Sequence, residues 1–71
     1  MQETTDTPRQ SPVDDATYDL LQALTSKLEA IEAYELYAQD EGVHDLFERL
    51  GREEAAHADA LLSALRERLA R

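Results

Sequence analysis

Apolar residues recur three and four positions apart along two stretches of this chain. In the first, Leu20, Leu24, Leu28, Ile31, Tyr34 and Ala38 form one stripe, within a span from Val13 to about Gln39 that holds neither Gly nor Pro. In the second, Val43, Phe47, Leu50, Glu54, His57, Leu61, Leu65 and Arg68 repeat the same spacing. That period belongs to an α-helix and not to a strand. The stretch Gln39-Asp40-Glu41-Gly42 separates the stripes. The pattern predicts a helix over about 12–40, a turn near 40–43 and a helix over about 43–70.

The predicted ends have local signals. Ser11 suits an N-cap, Pro12 the first helical position, and Asp14 and Asp15 the first turn, where the helix dipole favours acid. Gly42 suits a left-handed C-terminal cap or a tight turn. Alternatively, Asp40 caps the second helix and Gly42 lies in its first turn. Arg66, Arg68 and Arg71 fall in the last turns, where cations suit the dipole. Gly51 lies inside the second helix at a cost of about 1 kcal/mol relative to Ala, and fits a close helix–helix approach. Residues 1–11 have no apolar period and read as a disordered tail.

A short turn makes the two helices antiparallel neighbours. The fold class expected is all-α: an antiparallel two-helix hairpin. With 71 residues and one stripe per helix, such a hairpin has too little core to stand alone. Two hairpins packed face to face would dimerise into a four-helix bundle.

Charge and composition narrow the partners. The chain carries 16 Asp and Glu against 7 Lys and Arg, a formal net charge of -9. A nucleic-acid binder needs a basic surface, so nucleic acid is not an expected partner; a cation suits this field better. There is no cysteine, so any metal must be held by oxygen and imidazole nitrogen. No apolar run approaches the roughly 20 residues that span a bilayer. The polar start, Met1 to Gln10, has no apolar signal region, and the expected location is cytoplasmic.

The residues best placed for chemistry are Glu54 and His57. Three apart on a helix, they point from nearly the same face, and Leu50 and Leu61 flank them on the apolar stripe. A carboxylate facing a core must be paired, protonated or metal-bound. Carboxylate-bridged di-iron bundles meet this need with two Glu-x-x-His pairs and one further Glu from each of two other helices.

At these residues the chain resembles a family. Leu28-Glu29-Ala30-Ile31-Glu32-Ala33-Tyr34-Glu35, the Asp40 region, Phe47, and Glu53-Glu54-Ala55-Ala56-His57-Ala58 followed by Leu61 and Leu62 look like the ferritin-like superfamily. Rubrerythrin-type domains and encapsulated ferritins are the most similar in pattern, over about residues 20–69. The resemblance implies a half-ferritin: one hairpin per chain, a ferritin-like four-helix bundle formed by a homodimer, and a di-iron site shared across the two-fold interface. It further implies a higher, ring-like homo-oligomer, an encapsulin-type shell as partner and location, and ferroxidase activity, the oxidation of Fe(II) by dioxygen for iron storage or detoxification. Manganese or zinc would suit the same donors.

The first helix departs from that pattern. The family places a ligand Glu seven residues before the first-helix Tyr, and counting back from Tyr34 reaches Lys27. The separation of Tyr34 from Glu54 is also about one turn short. The first-helix ligand must therefore be chosen by geometry. Glu32 has about the right height and lies on the edge of the stripe, Glu35 points inward but nearer the turn, and Glu29 points almost opposite. The expected metal ligands are Glu32, Glu54 and His57, with Glu35 as second choice to Glu32. Tyr34 faces the core, where it serves either as an electron-passing, catalytic Tyr or as packing. Tyr37 reads as an oligomer contact and His44 as surface. The rival reading is a metal-free hairpin, an interaction or assembly module in which Lys27 neutralises Glu54.

Overall fold

A computed structural model of the chain describes residues 12–70. It contains two helices, α1 (Asp15–Tyr37) and α2 (His44–Leu69), packed against each other. Contacts pair early α1 with late α2: Thr17 with Arg68, Lys27 with Glu54, Tyr34 with Phe47. The helices therefore run antiparallel, as the short connection requires. No helix of the described residues is long and apolar enough to cross a membrane.

The helix ends differ in detail from the sequence expectation. α1 begins at Asp15, because the Asp14 side chain accepts from the Thr17 backbone N–H at 2.8 Å and is the N-cap. An aspartate carboxylate satisfies an otherwise unpaired N–H at this position. Ser11, the expected cap, and the tail 1–11 lie outside the described residues, as does Arg71. Pro12 is exposed and precedes the helix rather than opening it.

At the other end α1 tightens before it stops. Gln39 N–H donates to Leu36 and Asp40 N–H to Tyr37, at 3.1 and 3.0 Å, the three-residue spacing of a narrowed last turn. Gly42 is not the cap of α1, which is Ala38. It sits in the following turn, closed by Val43 N–H donating to the Asp40 carbonyl at 3.4 Å, with φ +94°. Only glycine adopts that conformation freely. Asp40 does not cap α2 either: Val43 holds that position and offers no side-chain bond.

The core is thin. Ala38, Ala58, Leu65 and Thr17 are buried, and among the described residues no side chain is fully sealed from solvent. Leu20, Leu24, Ile31, Tyr34, Phe47, Leu50 and Leu61 are half-buried along the line between the helices. Near the turn, Phe47 packs its ring 5.5 Å from Tyr34 and 5.2 Å from Tyr37, the latter edge-on. Leu28, expected inward, is 49% exposed, and Leu21, Leu36, Leu46 and Leu69 are exposed too. Among the described residues, one layer of two helices has no second layer to cover these side chains.

Candidate functional site

Glu54 lies midway along α2 on the line that meets α1, with its side chain 16% exposed. Burial of this degree requires a partner for the carboxylate. Lys27 of α1 provides one, its Nζ 3.1 Å from Oε1 and 3.2 Å from Oε2. His57, one turn further along α2, places Nδ1 2.8 Å from Oε1. A carboxylate only accepts, so this bond puts a proton on Nδ1. The hydrogen bond from His57, then that from Lys27, hold the Glu54 carboxyl below its ordinary range, against the opposing effect of partial burial.

The cluster is asymmetric. Lys27 is about one-third exposed, and His57 is 62% exposed on the flank of the hairpin. The expectation that Glu54 and His57 share a face holds, but within one hairpin only Glu54 is covered.

The remaining expected residues stand apart from this cluster. Glu32 is exposed and makes no ion pair among the described residues. Five residues after Lys27, it lies about 140° around α1 and so faces away from Glu54. Glu35 lines a groove nearer the turn with Ile31, Glu48, Gly51, Arg52 and Ala55, and Glu29 is exposed. Tyr34 does face α2, two turns from Lys27, but its ring contacts are Phe47 and Tyr37. Among the described residues no three carboxylate or imidazole groups gather as a metal-binding set. At the height of Glu54, α1 presents an ammonium group where a metal would need an oxygen donor. The residues of one hairpin therefore do not fit a di-iron centre.

Two polar contacts escaped the sequence reading. Arg68 joins the open ends of the hairpin, with Nη2 2.6 Å from Asp14 Oδ2 and Nε donating to Thr17 Oγ1 at 3.4 Å. Its signal is a cation at the end of the α2 stripe, level with the start of α1. His44 is on the surface as expected, but it is not without partners: Nδ1 lies 2.7 Å from the Ala38 carbonyl and Nε2 3.5 Å from Glu48. The bond to Ala38, then the charge of Glu48, raise its pKa above the ordinary 6.5. It ties the end of α1 to the start of α2.

Compared with models of known protein families, with characterised proteins and with solved structures, the chain matches none of them.

Proposed function

We propose that the chain is a metal-independent assembly module: a half-bundle hairpin that packs against copies of itself, with Glu54 neutralised inside each hairpin by Lys27. The observation that carries this reading is the Lys27 ammonium 3.1 Å from Glu54. It supplies the positive charge that a cation supplies in carboxylate-bridged bundles, from the helix that would have to give a further ligand. The need for assembly is supported by the thin core and by the exposed Leu21, Leu28, Leu36, Leu46 and Leu69. Chains this short rarely bury enough apolar surface alone.

The test is Lys27→Glu, with thermal unfolding followed by circular dichroism with and without Fe(II), Mn(II) or Zn(II). The parent protein should unfold at the same temperature in all four conditions. The variant should be less stable without metal, because two carboxylates then face each other, and should recover when a divalent ion is added. A parent protein whose midpoint rises with stoichiometric metal would sink the metal-independent reading.

A second reading has its own support in the 2.8 Å bond between Glu54 and the exposed His57. Here two hairpins pool their Glu54 and His57 residues, and Glu32 or Glu35 completes a site that oxidises Fe(II). Metal analysis of the purified oligomer tests it: about one iron per chain, and loss of iron-dependent oxygen consumption in Glu54→Ala/His57→Ala, are its required results.

A further inference from the structure

Three of the seven exposed large apolar side chains among the described residues, Leu21, Leu28 and Leu69, lie on one face of the hairpin. At about 100° per residue, Leu21, Leu24 and Leu28 follow one another on one side of the α1 line that carries Lys27 and Tyr34. On α2, Gly51, Ala55, Leu62 and Leu69 lie on one side of the line that carries Glu54. The groove lined by Ile31 and Glu35 from α1 and by Glu48, Gly51, Arg52 and Ala55 from α2 places these two flanks on the same face. His57, about 120° around α2 from Gly51, lies on the other. Leu21, Leu28 and Leu69 are 39, 49 and 64% exposed on the leucine face.

Two charges of this face are placed to pair. Glu48 and Arg66 are 18 residues apart, roughly five full turns, and so share one line along α2. Their midpoint is the level of His57. Glu35 lies near the Glu48 end, across the groove. A two-fold axis crossing the hairpin at the level of His57 would therefore carry Glu48 of one copy onto the level of Arg66 of the other, twice.

The same axis brings the apolar features into register. Gly51 lies about 9 Å from the level of His57 toward the turn, and Leu62 about 7.5 Å toward the open end, at 1.5 Å per residue. The groove of about 290 Å³ and the partner's Leu62 thus meet. Leu28 meets the partner's Leu21, at about 6 and 4.5 Å from the axis, taking Leu24 as the α1 level opposite His57. Nor does packing within the hairpin demand a glycine at 51: a Cβ there would sit 3.8 Å from Tyr34 Cβ, an ordinary contact. Gly51 also lines the outward groove.

We infer that a second copy of this chain covers the leucine face, antiparallel about this axis, with Leu62 seated in the Gly51 groove and Glu48 opposite Arg66 at both ends. The inference rests on the self-assembly proposed above and goes beyond it: it names the face, and it leaves Lys27 and His57 outside the contact.

A crosslinking experiment on the full chain tests it, since the chain has no cysteine of its own. Glu48→Cys/Arg66→Cys cannot close within one hairpin, because the two positions are roughly 27 Å apart along α2. Under mild oxidation it should give a disulfide-linked dimer, and His57→Cys should not. Sedimentation supplies the second measurement. Arg66→Glu should weaken dimerisation on the order of tenfold, because two like-charged pairs replace two opposite ones, and Glu48→Arg/Arg66→Glu should restore it. Crosslinking through His57→Cys alone, or an Arg66→Glu dimer as tight as the parent, would overturn the leucine-face contact while leaving self-assembly intact. A parent chain that stays monomeric at every concentration would overturn both.

Discussion

Leu65 is the large apolar side chain nearest to full burial, at 6% exposed, and it gives the clearest measure of what holds the two helices together. Leu65→Ala removes the equivalent of three methylene groups, at about 0.8 kcal/mol each when buried. The void left behind adds to the loss where the walls stay fixed. Here the neighbouring Leu61 and Leu62 are only half-buried and can relax toward it, so the low end of the Leu→Ala range applies, about 2–3 kcal/mol. For a domain of this size that is a fall in midpoint of roughly 10–20 °C. Leu36, 62% exposed, is the matched control, and Leu36→Ala should stay within about 0.5 kcal/mol of the parent. The assay is urea and thermal unfolding by circular dichroism at 222 nm, at one protein concentration for all variants, because assembly makes stability concentration-dependent. Equal losses for the two variants would refute the reasoning, since the line between the helices would then be no more a core than the outer flank.

The remaining predictions concern the polar positions, the turn and the groove. His44 has a raised pKa, so its contribution is fully present below the ordinary 6.5 and is lost as pH rises through the folded value; Asp14, lowered to about 2, and Glu54, lowered below 4.5, lose theirs as pH falls through those values. Stability should therefore peak between pH 4.5 and 6.5 and fall on both sides, and His44→Gln should flatten the alkaline fall in a pH series of unfolding midpoints. Gly42→Ala should lose about 1 kcal/mol by urea unfolding, from forcing a side chain into positive φ. Gly51→Ala should gain about 0.5–1 kcal/mol in helix stability, yet weaken self-association measured by sedimentation, because the added methyl narrows the groove. Lys27→Glu should turn a metal-indifferent midpoint into one that rises with divalent metal.

Much of this was legible from periodicity. The two stripes, the glycine-bearing turn and the direction of Glu54 follow from spacing three and four, which is local. Lys27 opposite Glu54 was also legible, because an antiparallel hairpin fixes heights once the turn is placed. What spacing alone missed were choices between neighbours of similar chemistry. Asp14 rather than Ser11 caps α1, and the difference lies in which side chain reaches Thr17 N–H. Glu32 had about the right height but the wrong rotation, since the stripe of α1 runs through Lys27 and Tyr34. Leu28 belongs to the helical stripe yet stays half-exposed, because a stripe is wider than one neighbouring helix can cover. The bond of His44 to the backbone carbonyl of Ala38 is one that no side-chain pattern reveals.

The Arg68 clasp to Asp14 and Thr17 gives the hairpin two unlike poles. Asp14 and Arg68 meet at one pole of the hairpin, while the pole at Gly42 is the turn. A two-fold antiparallel pair would then present a clasp at both of its poles and pair each with a partner's turn.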